Sequence, residues 1–523
     1  MDYFLATGTR DKAHKLDFIA AIMLGFLFSL TFPPYPLEWL AWFSLAPLFK
    51  LLENKRGRTA FSLGLTWGVA HFVGLIYWIV VAVGHYGKMS LVISVAPMTL
   101  LALYLALYPA IFCGIVVLIK DRALAAMWIP CLWVALEYGR AKLLTGFPWC
   151  LIGYSQYNHP WLIQAADLFG VYGLSFVIIL TNWYLYDAFL SGGKRSRIHL
   201  FLVTAFTFLC LSALLWYGHR QLHGAEASAG SEGTRLRVAI VQPSIDQSIK
   251  WDPKFQNKTM ELYETLTRSA AESSPDLVVW PETATPFFFQ ANVTMAKRIV
   301  ALSRELRCAI LFGSPAYEET SSGTAYFNRA YLITPDQTKA QYYDKVHLVP
   351  FGEYVPLRKF LFFMEKLVPG AGNFRAGSSI RPLRLKDLSF GVLICFEAIF
   401  PDISRVEKTQ GAAFFVNLTN DAWFGDTSAP YQHLAMSVFR AVENRVPLLR
   451  AANTGFSAII DPYGRIKQKS GLFTKQILAG YVRLPEKRTF TFYTIHGDLF
   501  ARLAALISVF VFVFALFSRK KKF

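Results

Sequence analysis

Residues 390–401 read Phe390-Gly391-Val392-Leu393-Ile394-Cys395-Phe396-Glu397-Ala398-Ile399-Phe400-Pro401, an apolar run that stops at a thiol and is followed by an acid and a proline. A short apolar run closed by such a change reads as a buried strand of an α/β core. Proline suits the first turn of a helix, because its missing N–H is one that the helix would leave unpaired. The stretch therefore reads as strand, turn, helix, with Cys395 on the turn. Functional groups of α/β sheets gather beyond the carboxyl ends of strands. The helix is expected to begin near Glu397, where its N-terminus would favour the thiolate.

The same rhythm extends upstream. Arg237-Val238-Ala239-Ile240-Val241 is followed by a helix-like stretch at 257–272, then by Leu277-Val278-Val279-Trp280-Pro281-Glu282, a second helix-like stretch at 295–307, and Ala309-Ile310-Leu311-Phe312. Further strands are read at 325–334, 412–418, 456–460 and 477–482. Glu282 ends its run just before Thr283 and Pro286, which puts its carboxylate on a turn. Lys345 lies in Tyr342-Tyr343-Asp344-Lys345-Val346-His347-Leu348-Val349-Pro350-Phe351-Gly352-Glu353-Tyr354, a loop-like stretch. A thiol that attacks a carbonyl needs a proton acceptor and a fixed positive group where oxygen charge develops, and Glu282 and Lys345 are of those types. Singly, each residue has an ordinary reading: an inert core cysteine, a helix-start acid, a solvated lysine. His347 competes for the part of base and ranks below Glu282, since a lone histidine beside an apolar run is usually structural. A Cys308–Cys395 disulfide is the alternative that would disarm the thiol.

The whole chain has 523 residues, 54% hydrophobic, 16% aromatic and 17% charged, with a net charge of +18. That is too apolar for a soluble enzyme of this length and too charged for a pure membrane bundle. Apolar windows long enough to be weighed as membrane spans fall at 17–32, 37–52, 60–83, 91–119, 123–136, 161–190, 199–216 and 501–517, the second being the weakest, short and broken by Pro47 and Lys50, and thus open to a re-entrant reading that would change the parity of the count. The basic clusters follow every second window: Arg10, Lys12 and Lys15 before the first, Lys55 to Arg58, Lys120 and Arg122, Lys194 to Arg197, and Arg519 to Lys522 after the last. This placement speaks for membrane topology and against a nucleic-acid partner. Both termini are then expected in the cytoplasm and the segment between the last two spans outside, with Lys88, Arg140 and Lys142 as exceptions on the outer side. The domains expected are an N-terminal bundle of about seven spans at 1–220, a linker at 221–235, an extracytoplasmic catalytic domain at 236–490 and a C-terminal span at 498–518.

At Trp280-Pro281-Glu282, Asp344-Lys345 through Gly352-Glu353-Tyr354, and Cys395-Phe396-Glu397, in that order, the chain resembles the nitrilase superfamily. With apolar spans on both sides it is similar to the membrane-embedded branch of that superfamily, the apolipoprotein N-acyltransferases. The resemblance implies an αββα sandwich on an eight-helix transmembrane bundle, in the bacterial inner membrane with the catalytic domain on the periplasmic side. It implies a Glu282–Lys345–Cys395 triad that moves an acyl chain from a phospholipid, phosphatidylethanolamine above all, to the α-amino group of a diacylglyceryl-cysteine lipoprotein through a thioester. The alternative is a membrane-anchored amidase or hydrolase that gives the acyl group to water. A monomer is implied. No cofactor is expected, since neither metal-ligand spacing nor a nucleotide fingerprint is present. Supporting roles fall to Glu353, which would orient Lys345, and Glu397, which would shape the pocket or merely start a helix. Trp251, Trp423 and the outer turn Gly146, Phe147 and Trp149 match substrate-contacting positions. Phe396 departs from the family pattern, which often has tyrosine there.

Overall fold

A computed structural model describes residues 2–86, 89–121, 124–192, 195–227, 234–321, 323–337, 339–355, 373–484 and 489–520. The expected basic residues Lys88, Arg122, Lys194, Lys521 and Lys522 lie outside them. The chain divides into two units, one of residues 1–80, 90–221 and 498–523, the other of residues 81–89 and 222–497.

In the first unit, five helices among the described residues are long and apolar enough to cross a membrane: Gly57–Ile76, Leu91–Ile119, Val171–Leu190, Arg197–Gly224 and Leu499–Phe517. The eight expected windows are thus not eight such helices. Charges in its first half keep the helix Asp2–Ser29 out of that set, and Glu137, Arg140 and Lys142 do the same for Ala125–Lys142. The 161–190 window is broken at Gly170 (φ 62°), so its helix begins at Val171. The 37–52 window folds as a 3-10 turn, Glu38–Trp42, and a six-residue helix, Ala46–Leu51. At about 1.5 Å per residue that helix is far too short to span hydrocarbon.

Yet the chain does run back along this broken segment. A Cβ on Gly25 would meet Ala70 and one on Gly74 would meet Ser29, so the helices Asp2–Ser29 and Gly57–Ile76 run parallel. The residues between them must return, and Leu45 N–H, bonded to Asn182 Oδ1 at 2.8 Å, lies on that path. Asn182 Nδ2 in turn donates to the Ala41 carbonyl at 2.7 Å, so one buried amide satisfies backbone groups that an irregular segment leaves open. The expected linker is helical as far as Ala227, and residues 228–233 lie outside the described set.

Among its described residues the second unit holds twelve strands: β1 (Arg235–Gln242), β2 (Leu277–Val279), β3 (Ala309–Thr320), β4 (Gly323–Ile333), β5 (Gln341–Asp344), β6 (Leu383–Leu385), β7 (Leu388–Ile394), β8 (Phe415–Thr419), β9 (Leu448–Ala452), β10 (Ala458–Ile460), β11 (Ile466–Lys469) and β12 (Gln476–Arg483). They form two six-stranded mixed sheets, ordered β12-β1-β2-β3-β4-β5 and β11-β10-β9-β8-β7-β6. Each has three parallel strands at its centre, β1 to β3 in one and β7 to β9 in the other.

Alternation along the strands explains the layering. Val238, Ile240, Leu277 and Val279 point inward against Val392, Ile394, Val416 and Leu418 of the other sheet. Their neighbours Ala239, Val241, Val278 and Trp280 face Met260, Tyr263, Ile299 and Leu302 on the helices Gln256–Ala270 and Val293–Leu306. Against the second sheet lies the helix Pro401–Thr409, whose Glu407 accepts from Val392 N–H at 2.7 Å. The helix Ala429–Asn444 joins it there: its Ser437 hydroxyl receives a bond from Arg450 of β9 at 3.1 Å. The result is an αββα arrangement.

Candidate active site

Strand ends of both sheets feed one cluster. Beyond β2 the chain turns at Thr283 (φ 46°), which carries Glu282 with its side chain largely buried. That turn packs so tightly on β3 that a Cβ on Gly313 would lie 2.4 Å from Thr283 N and 2.7 Å from Glu282 Cα. Only glycine fits there. Beneath the turn, buried Lys250 donates to Thr283 Oγ1 at 2.8 Å and to the Glu282 carbonyl at 3.3 Å. Burial brings this ammonium down to about 8, against the pull of Glu282.

Beyond β5, Lys345 N–H bonds to the Asn328 carbonyl at 2.9 Å, which fixes the lysine's backbone to β4. Its ammonium sits 3.0 and 2.8 Å from the two oxygens of Glu353 and 3.8 Å from Glu282 Oε1. Asn328 spans both acids, with Nδ2 2.8 Å from Glu282 Oε1 and 2.9 Å from Glu353 Oε1. Burial opposes the charge of Lys345, but Glu353, Glu282 and the Cys395 sulfur outweigh it and raise its pKa. Lys345 is therefore a permanent cation. The bridging Asn328 was missed in the sequence because an amide inside a strand has no local signature.

The nucleophile candidate ends β7. Cys395 has a left-handed backbone, φ 52°, an uncommon and strained conformation for a residue with a Cβ. It opens a 3-10 turn, Cys395–Ile399, and the helix starts only at Pro401. The expected helix N-terminus at the sulfur is thus absent, as is the ready thiolate. Burial pushes the thiol up, Glu282 adds to the rise, and Lys345 opposes it without overcoming it. At rest the sulfur keeps its proton beside a carboxylate, so its removal is a step of the chemistry. Cys395 and Cys308 are both free. Cys308 precedes β3, at the opposite strand end from the cluster, which excludes the disulfide.

Glu397 is wholly buried and ties the two sheets together at this point. Its Oε1 accepts from Val346 N–H at 2.6 Å, His347 N–H at 3.1 Å and the Tyr343 hydroxyl at 3.1 Å, while Oε2 accepts from Ile394 N–H at 2.7 Å. It thus joins the segment carrying Lys345 to the strand carrying Cys395. Burial brings its carboxyl up to about 7, with the Ile394 amide, Lys345 and the other amides holding it down. Its role is to hold this cross-sheet joint, and no regular helix starts at it.

The remaining expectations separate. His347 lies against Phe400, ring centroids 3.7 Å apart, and its pKa falls to about 4 through burial and the Lys345 charge, in keeping with a structural residue. Phe396, in the place of a tyrosine, packs edge-on to Phe400 at 5.2 Å. Trp251 and Trp423 are 46% and 40% exposed, which leaves both indoles accessible to a partner. Gly146, Phe147 and Trp149 belong to the other unit, and Trp149 is 0% exposed, its ring 4.8 Å from that of Trp78. It is an interior packing residue, which removes the reason for reading it as a surface for substrate.

The N-terminal domain of the apolipoprotein N-acyltransferases matches residues 24–184, and the carbon-nitrogen hydrolase family matches residues 237–489. The apolipoprotein N-acyltransferase of Geobacter metallireducens is 45% identical over 494 residues, 94% of either chain. This chain belongs to the apolipoprotein N-acyltransferase family. The enzymes of that name from Haemophilus influenzae and Brucella melitensis biotype 1 are 30% and 35% identical, over 96% and 89% of this chain and 96% and 90% of theirs. Membership covers both units, so the apolar helices and the α/β sandwich are parts of one enzyme type.

Proposed function

We propose that this chain transfers a fatty acyl group from a phospholipid, phosphatidylethanolamine in the first instance, to the N-terminal α-amine of a diacylglyceryl-cysteine lipoprotein. The observation that carries the reading is the convergence of Glu282, Lys345 and Cys395 in a member of this family. Cys395 Sγ attacks the ester carbonyl carbon while Glu282 takes the thiol proton, and Lys345 faces the oxyanion that forms. The ester C–O bond breaks, Glu282 passes its proton to the departing alkoxide, and a lysophospholipid leaves a thioester behind. In the second half the lipoprotein amine attacks that thioester. Its proton goes through Glu282 to the leaving Cys395 thiolate, and an amide results.

Glu353 holds the Lys345 ammonium and Glu397 fixes the distance between lysine and sulfur. Trp251 and Trp423 are the candidates for acyl-chain contact. Apolar helices in the same chain let both lipids keep their tails in hydrocarbon, where lifting them into water would cost about 0.8 kcal/mol per CH₂.

The parallel helices and the return between them favour eight traversals of the first unit, one of them irregular. Lys55, Lys120 and Arg195 meet at one end, where Lys55 pairs with Asp17, Lys120 donates to the Leu52 carbonyl at 3.5 Å and Arg195 to the Lys120 carbonyl at 3.1 Å. The positive-inside tendency makes that the cytoplasmic end of an inner-membrane protein. Tyr217, on Asp167 at 2.9 Å, and Asp498, on Lys142 at 3.2 Å, mark the other end, so the same tendency puts the residues between them on the periplasmic side. The acyl donor and lipoprotein acceptor act on a monomer in this scheme.

Purified protein incubated with phosphatidylethanolamine and a diacylated lipopeptide tests the transfer. The expected result is a lipopeptide heavier by one acyl chain. Free fatty acid with an unchanged peptide would instead establish a hydrolase.

A further inference from the structure

A buried polar chain stands behind the nucleophile turn, and the proposed acyl transfer does not yet use it. His433, on the helix Ala429–Asn444, brings its Nε2 3.1 Å from the Cys395 carbonyl oxygen. Asn417 Nδ2 reaches the same oxygen at 3.5 Å. A carbonyl oxygen only accepts, so His433 must carry its proton on Nε2. The other ring nitrogen, Nδ1, lies 3.0 Å from Asp421 Oδ1 and 3.1 Å from Arg450 Nη2. Asp421 is fixed in turn by Thr419 Oγ1 at 2.9 Å and Arg450 Nη2 at 2.7 Å. A Cβ on Gly455 would come within 2.3 Å of Asp421 Oδ2, so the carboxylate fills its space to contact. His433, Asp421 and Arg450 are all at most 1% exposed.

This expenditure of buried charge is hard to explain by stability alone, since buried ion pairs recover little beyond their desolvation cost. His433 brings it to the carbonyl of the strained residue, while Arg450 Nε anchors it on the Phe456 carbonyl at 3.2 Å and Asn417 Nδ2 on the Leu393 carbonyl at 2.8 Å. A left-handed non-glycine conformation is strained and persists only where its surroundings over-determine it. Fixing the Cys395 carbonyl fixes the peptide plane and with it the direction of the Cα–Cβ bond that aims the sulfur.

We propose that His433, held at Nδ1 by Arg450, which Asp421 fixes in turn, is a positioning residue that sets the left-handed turn of Cys395 and so aligns the thiol for attack. This rests on Cys395 being the acyl-accepting nucleophile. It predicts that removing the imidazole N–H slows acylation while substrate affinity is kept, because His433 is buried behind the turn. It also predicts that another donor of similar reach restores part of the rate.

The test compares wild type, His433→Leu and His433→Gln in two reactions: acyl-enzyme formation from phosphatidylethanolamine in single turnover, and alkylation of Cys395 by the neutral reagent iodoacetamide, both followed by mass. Expected for His433→Leu is a loss on the order of 10²-fold in acylation rate, the scale of an ångström misplacement, with the lipid concentration at half-maximal rate unchanged. Alkylation should slow as well, and His433→Gln should recover much of both. If His433→Leu does not fold, His433→Asn, whose amide is too short to reach the carbonyl, takes its place with the same expectation. A folded Leu or Asn variant within twofold of wild type in alkylation overturns the inference. Wild type that alkylates at Cys395 but never acylates overturns the acyl-transfer reading instead, and the alkylation comparison still decides the role of His433.

Discussion

The two sheets bring opposite things to the same place. The sheet of β1 to β5 and β12 delivers charge toward the reaction, with Glu282, Lys345 and Glu353 joined through Asn328. The sheet of β6 to β11 delivers a neutral thiol on a strained turn and keeps its charges, Asp421 and Arg450, one residue further back behind His433. The first arrangement is electrostatic, the second geometric. An enzyme that must both deprotonate a reluctant thiol and aim it gains from separating the tasks.

Breaking the geometric side outright gives the largest effect. Cys395→Ala should form no acyl-enzyme and transfer nothing, while intact migration in detergent and unchanged helical content show that the fold survives. On the electrostatic side, Glu282→Gln removes the proton acceptor and should slow acylation about 10²–10⁴-fold, the range for a general base. Single-turnover rates at saturating lipid read this directly. Lys345→Met should cost about 10²–10³-fold in the same assay. It should also lower the melting temperature, because it leaves Glu282 and Glu353 buried without their cation.

The joint between the two regions is Glu397, and its titration sharpens the comparison. Its folded pKa of about 7 lies above that of an unfolded glutamate, so the folded state binds the extra proton. Its contribution is complete below the unfolded value and is lost as pH rises through about 7. The melting temperature of the wild type relative to Glu397→Gln should therefore fall as pH goes from about 5 to 7, the opposite slope from His347, with its pKa of about 4, being common to both. A difference that rises over this interval would mean that the four donors, rather than burial, control the carboxylate. The smallest effect is expected at the rim. Trp251→Ala and Trp423→Ala should leave melting unchanged, these side chains being half exposed, and should raise the lipid concentration needed for half-maximal rate more than they lower the maximal rate.

The strand ends were the most legible part of the site in sequence. Glu282 and Cys395 each close an apolar strand, and a side chain at a strand end is located by the strand itself. Lys345, in a loop, was read from its neighbours in the segment through Glu353. What escaped were partners brought from afar: Asn328 from within β4, Lys250 from a short helix, His433 from a helix, and Arg450 from β9. A lysine buried beneath a turn or an arginine inside a strand is set by tertiary packing, which no local pattern records. The thiolate expectation failed for a related reason. It relied on a helix dipole, whereas the chain first makes a 3-10 turn and burial then decides the protonation state. In the first unit, hydropathy located the long helices. It marked the segment of Ala46–Leu51 as the weakest window, and composition does not report that Asn182 satisfies an irregular backbone there.

The most direct measurement is proteolytic mass mapping of the protein after exposure to phosphatidylethanolamine alone. The account predicts one acyl chain on the peptide containing Cys395, labile to hydroxylamine as a thioester is and released as amide when the lipopeptide is added. An adduct on another residue, or transfer to the lipopeptide with no acylated Cys395 peptide at any time, would contradict it.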